Sequence, residues 1–192
     1  MPQNFWRKKK SLLRPPRFIL TLPDPAWNLL YSAAADCSNS LMSYAKSSWQ
    51  DNNSGLAGID GLTMGHSETP QDSAIERIIP DIQKPEDEEF EGSNSLWREM
   101  NETELLAEKL ADCVILVDLC HLGNEEGSAT LELKDVDAFL RALNSVRLYC
   151  HQRLQQVGFP EESPEFETAM ATINFFGVVQ EGLMQLCFGD EG

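Results

Sequence analysis

Residues 169–188, AMATINFFGVVQEGLMQLCF, are apolar on nearly every side, with Gln180 and Glu181 set into the middle. A helix that is hydrophobic all round is wrapped by other helices or by lipid. Two adjacent, strongly polar residues at its centre argue against lipid, where a carboxylate is expensive. The stretch therefore predicts the central, buried helix of a soluble helical domain. Its start is well marked, with Ser163 as N-cap, Pro164 at the first helical position, and Glu165 and Glu167 in the first turn. Gly189 marks its exit.

Outward from this helix, apolar residues recur at helical spacing in three more segments. Val136, Phe139, Leu140, Leu143, Val146, Cys150 and Leu154 form one stripe, opened by Asp135 as N-cap and closed by Gly158. Leu106, Leu110, Cys113, Val117 and Cys120 form another, started by a capping box at Asn101 and Glu104 and ended at Gly123. Asp24 and Pro25 open a first helix, reaching to about Lys46, with Trp27, Leu30, Tyr31, Ala34, Leu41 and Tyr44 on or near one face. Ser73 and Glu76 cap a short helix stopped by Pro80. Leu20 to Asp24 and Leu131 to Asp135 share the pattern L-x-L-x-D ahead of a helix, so two short strands are available to pair. The expected fold is all-α: a helical bundle of about four main helices, with a small two-stranded β-ribbon as an optional addition.

A chain of 192 residues with 42% apolar content suits one domain with an ordinary core. Residues 1–17 read as a flexible basic arm, and 18–192 as the domain, with a loop-rich insertion near 47–70 and an acidic linker near 82–95. The net charge is −16, although the arm carries Arg7, Lys8, Lys9, Lys10, Arg14 and Arg17 and no acid. An acidic body repels nucleic acid and lipid headgroups and attracts basic partners. Only the arm, with Phe5 and Trp6 among its cations, offers nucleic acid a foothold; a solubilising terminus is the plainer reading. Arg14 to Arg17 break up any signal-peptide core, and no other segment is apolar enough to span a membrane, so the expected location is cytoplasmic. Five scattered cysteines, an odd number, fit reduced thiols better than a disulfide framework.

ELLAEKLAD (Glu104–Asp112), FLRALNSVRL (Phe139–Leu148) and NFFGVVQEGL (Asn174–Leu183) resemble the characteristic blocks of the bacterial domain-of-unknown-function family DUF2017. DSAIERIIPD (Asp72–Asp81) and FILTLPDPAWNLL (Phe18–Leu30) are similar to its other segments, so the likeness covers most of the chain from Phe18 onward. The resemblance implies an all-helical cytoplasmic protein without an established enzymatic activity, of a kind sometimes labelled a transcriptional regulator. The Ser/Asn/Gly stretch at 47–70 and the number of cysteines depart from the family's usual pattern.

Few residues invite chemistry. Cys120–His121 and Cys150–His151 are adjacent pairs, which point roughly 100° apart on a helix and do not converge on a metal. No metal, cofactor or catalytic residue is therefore expected, and no nucleophile–His–acid grouping is visible. Cys113 and Cys120 lie too far apart along one helix to bond, but Cys150 or Cys187 on a neighbouring helix could approach either, which makes these four the candidate redox thiols. Glu181 is the one carboxylate in an apolar setting, and Arg147 is its natural buried partner, with Asn144 as a second polar contact. The preferred expectation is a non-enzymatic cytoplasmic regulatory or adaptor protein that acts on a protein partner through an acidic surface. The alternative is a thiol-based redox-responsive regulator; an enzyme built on Glu181 ranks last.

Overall fold

The computed structural model describes residues 5–11, 13–52, 65–83 and 90–189. The chain is mainly α-helical, with a small three-stranded antiparallel sheet on one side. Strands β1 (Trp6–Lys9), β2 (Arg17–Thr21) and β3 (Ser128–Glu132) lie in that order. Helices α1 (Asp24–Asn52), α2 (Ser73–Ile78), α3 (Phe90–Glu126), α4 (Val136–Val157) and α5 (Pro164–Phe188) make up the rest.

The strand pairing implied by the repeated L-x-L-x-D pattern is present: Phe18 faces Leu131 and Leu20 faces Ala129 across β2 and β3. The ribbon gains a third strand because residues 6–9 of the expected arm pair with β2, whereas residues 1–4 and 12 lie outside the described residues. Trp6 pairs with Leu20, is buried, and donates its indole N–H to the Val179 carbonyl at 2.7 Å. Alternation along β1 and β2 turns Trp6, Phe18 and Leu20 to the core while Arg7 and Lys9 face outward. An aromatic anchor of this size outweighs the solvation of the basic residues around it.

Helix α1 runs six residues past Lys46 and buries Trp27, Leu30, Ala34, Cys37, Leu41 and Ala45 on one stripe. Helix α3 begins at Phe90, well before the capping box read at Asn101, whose side-chain amide instead donates to the Trp97 carbonyl. Residues 90–95 of the expected acidic linker are thus helix, whereas 84–89 lie outside the described residues. Of the expected insertion at 47–70, residues 47–52 are helix, 53–64 lie outside the described residues, and 65–70 return onto α3. The N-cap of α2 is Asp72 rather than Ser73, its carboxylate accepting from the Ala74 N–H.

Gly123 does not end α3. The helix continues to Glu126 and stops at Gly127, which takes the left-handed conformation at φ 72°. Gly123 is small for another reason: a methyl group there would stand 2.4 Å from the Trp27 ring. The ends of α4 and α5 match expectation more closely. Gly158 closes α4 at φ 70°, and the Ser163 hydroxyl caps α5 by accepting from the Phe166 N–H.

Helices α1, α3 and α4 form the centre, through Trp27, Cys37, Leu41, Cys113, Leu116, Phe139, Leu143 and Val146. Helix α5 is not the central helix that its composition predicts. It lies at the side, against α4 and β1, burying Ile173, Phe176, Val179 and Leu183 and leaving Val178, Met184 and Phe188 exposed.

Candidate functional site

The expected interior pair of Arg147 and Glu181 does not form. Arg147 Nη1 donates to Gln180 Oε1 at 2.7 Å, and Gln180 Nε2 donates on to the Leu140 carbonyl at 3.3 Å. Glu181, one residue on, is turned to solvent and accepts from Gln185 Nε2; Asn144 is exposed as well. Adjacent helical residues differ by about 100° in direction, so only one of the Gln180–Glu181 pair can face α4. Burying the amide avoids the desolvation penalty of a carboxylate, and that decides which one does.

The buried charges are elsewhere. The core-facing stripe of α3 starts polar, with Asn94, Arg98 and Glu102, and turns apolar only from Leu106. Arg98 and Glu102 are both 0% exposed. Arg98 donates from Nε and Nη2 to Asp81, from Nη2 to the Ile79 carbonyl, and from Nη1 to Glu102 Oε1 at 2.8 Å. Glu102 Oε1 also accepts from the Tyr44 hydroxyl at 2.6 Å. Its Oε2 accepts from the His66 backbone N–H at 2.8 Å and faces His66 Nδ1 at 3.0 Å. The His66 ring stacks on Tyr44 with 4.1 Å between centroids. Gly65 lets this segment approach, since a methyl group there would collide with the Arg98 carbonyl. Asn94 completes the clamp by accepting from the Ile82 and Gln83 N–H groups.

On its far side, His66 Nε2 meets the Ser47 hydroxyl at 2.9 Å. Ser47, His66 and Glu102 therefore have the connectivity of nucleophile, base and orienting acid, a grouping that the sequence did not display. Two features favour a structural role. Ser47 lies within α1, where backbone N–H groups serve helical carbonyls rather than an oxyanion, and its hydroxyl is already 2.7 Å from the Tyr44 carbonyl. The cluster works as a fastener that holds residues 65–83 onto α1 and α3.

Burial alone would raise the Glu102 carboxyl, but hydrogen bonds from His66 and Tyr44 hold it below its ordinary value. A carboxylate depressed in the folded state contributes stability that is complete above its unfolded value of about 4.3. That contribution disappears as pH falls through the lower folded value. Denaturant melts between pH 7 and pH 3 should therefore show a steeper acid loss for the native chain than for Glu102→Gln. Equal slopes would mean that the cluster does not depend on the ionised acid.

The thiols are the second cluster. Cys113 on α3 faces Cys37 on α1, both fully buried, and the two side chains hydrogen-bond each other. That bond holds the Cys37 thiol far up, with burial adding to it, and draws the Cys113 thiol down against its own burial. Burial pushes Cys120 up to about 12 and Cys150 up to about 11, and raises Cys187 as well. Of the five thiols, Cys113 is the one that its surroundings draw down rather than push up. Its partner is Cys37, which the sequence had offered no reason to single out. Cys150 lies near enough to Cys37 to act on it electrostatically, whereas Cys187 stands beside Lys8 at the end of α5.

Lys8, from the basic start of the chain, donates to the Leu186 carbonyl, and Arg17 pairs with Glu132. Among the described residues, no three His, Cys, Asp or Glu side chains converge as a metal site, and no helix is long and apolar enough to cross a membrane.

Over 148 residues the chain is 27% identical to the oxidative stress regulator AosR of Mycobacterium tuberculosis, and equally to that of Mycobacterium bovis. The match takes in 70% of this chain and 66% of the relative's length. No solved structure matches the chain. A family model described as "Domain of unknown function (DUF2017)" matches residues 6–187, nearly the whole fold from the first strand to the last helix, and the chain belongs to that family.

Proposed function

We propose that this chain is a non-enzymatic, cytoplasmic regulatory protein whose state is set by oxidation of the Cys37–Cys113 pair. The observation that carries this reading is the thiol pair itself: two cysteines from different helices, both fully buried and facing each other where α1 packs on α3. The likeness to an oxidative stress regulator supports it. The chemistry balances with hydrogen peroxide as oxidant. The Cys113 thiolate attacks one peroxide oxygen, breaking the O–O bond and leaving a sulfenic acid and, after protonation, water. Cys37 then attacks the sulfenic sulfur, forming the disulfide and releasing a second water.

Because both thiols are sealed between α1 and α3, the reaction proceeds from a local opening of that interface. The same fact couples chemistry to shape, since a bond between α1 and α3 sets how the central helices repack. The output passes to a protein partner, and a body of net charge −16 suits a basic one.

Peroxide treatment of the native full-length chain, followed by thiol alkylation after unfolding and peptide mapping, tests this. The expected result is the loss of two alkylatable thiols, recovered as a Cys37–Cys113 linked peptide and absent from Cys37→Ala. Oxidation that falls on Cys150 or Cys187 while Cys37 and Cys113 stay reduced would overturn the assignment.

A further inference from the structure

Helix α5 turns toward solvent a face that does not suit it. Between Thr168 and Phe188 the only charged residue is Glu181, on a chain whose net charge is −16. Ala171, Asn174, Val178, Glu181, Gln185 and Phe188 are all exposed and recur at alternating steps of three and four. That spacing is the seam along which two helices pair.

An open groove beside the seam is lined by Arg147, Gly177, Val178 and Glu181, among others. Arg147 reaches that groove with its guanidinium over Gly177 and gives Nη1 to the neutral Gln180, so among the described residues no acid pairs with it. Glu181, on the same groove, is met among the described residues only by the Gln185 amide. One patch therefore holds a cation and an acid, neither of which meets an opposite charge among the described residues.

We propose that α5 is the interface of a homodimer, with two antiparallel α5 helices crossing about a twofold axis near Val179 and Gln180. A twofold interface requires a patch complementary to itself, and this register supplies it. Val178 falls opposite the partner's Glu181, Asn174 opposite the partner's Gln185, and Ala171 opposite the partner's Phe188. Amide meets amide and small meets large. The partner's Glu181 arrives beside Val178, next to the guanidinium over Gly177, and the same contact recurs on the other side of the axis. A second copy fits better than a basic protein partner because the patch offers one acid and one base rather than an acidic surface. The inference does not rest on the thiol pair.

Sedimentation equilibrium of the full-length chain over a concentration series tests it. The native chain is expected to dimerise more tightly at 0.15 M salt than at 0.01 M, because the Debye length shrinks from about 30 Å to about 8 Å and screens repulsion between acidic bodies. Val178→Glu, at an exposed position, should keep the native helical circular-dichroism spectrum and run as a monomer. Glu181→Arg should weaken the dimer roughly tenfold or more by setting like charges together. A native chain that stays monomeric at both salt concentrations would overturn the proposal and leave α5 to a different protein. So would a Val178→Glu dimer as tight as the native one.

Discussion

Replacing Arg98 with Met is expected to cost about 3–5 kcal/mol of folding stability, because it leaves buried acids without their counter-charge. Arg98 and Glu102 are both fully buried, and Asp81 is largely so. Without the guanidinium, Asp81 loses both donors that Arg98 gives it, and the Ile79 carbonyl loses its side-chain donor. Glu102 keeps Tyr44 and His66 but loses its only full positive partner on α3. Glu102→Leu alone should also be costly, because it takes the acceptor from Arg98 Nη1, the Tyr44 hydroxyl and the His66 backbone N–H. The double change removes both ionised groups and should cost much less than the sum of the two single changes, since neighbours in one network are not additive. Urea melts of the native chain, the two single variants and the double variant decide the matter. Additive costs would show that the two residues contribute separately and that the cluster is not a unit.

The second large effect is expected where α1 crosses the end of α3. Trp27 is fully buried, and its indole N–H reaches the Gly127 carbonyl at 3.3 Å. Trp27→Ala should cost about 3–5 kcal/mol, the usual range for emptying a large aromatic site. Gly123 is the reciprocal test. Alanine is the better helix former by roughly 1 kcal/mol, so at a free position Gly123→Ala would stabilise the helix. Here the new methyl group would fall 2.4 Å from two atoms of the Trp27 ring and 2.5 Å from a third. The expected outcome is a net loss of about 1–3 kcal/mol from overpacking. In a Trp27→Leu background the clash is gone, and the same change should become neutral or favourable. Thermal melts of these variants would show the sign reversal; a stabilising Gly123→Ala in the native background would refute the close packing.

Local physics was enough to read much of this fold from the chain. Ser163 and Pro164 start α5, Gly158 stops α4, and the stripe from Val136 to Leu154 lies largely on the buried side, because caps and periodicity act within a turn or two. The two L-x-L-x-D strands pair as their alternation implies. Family membership was legible for the same reason, since its blocks are contiguous.

What the chain alone left open was every choice between neighbours in space. Residues 90–95 read as acidic linker, and Arg98 and Glu102 gave no sign of burial, because such residues look solvated until Ile82, Asp81, Tyr44 and His66 arrive to satisfy Asn94, Arg98 and Glu102. Trp6 read as part of a basic arm because its anchor, the Val179 carbonyl, lies at the far end of the chain. Arg147 chose Gln180 over Glu181 by one residue of helical rotation, which periodicity cannot resolve but a desolvation penalty can. Cys113 found Cys37 only because α1 and α3 pack side by side. Apolar pattern determined which faces are buried; the partners of the buried polar groups were decided by tertiary contact, because hydrogen bonds and ion pairs depend on where distant atoms meet.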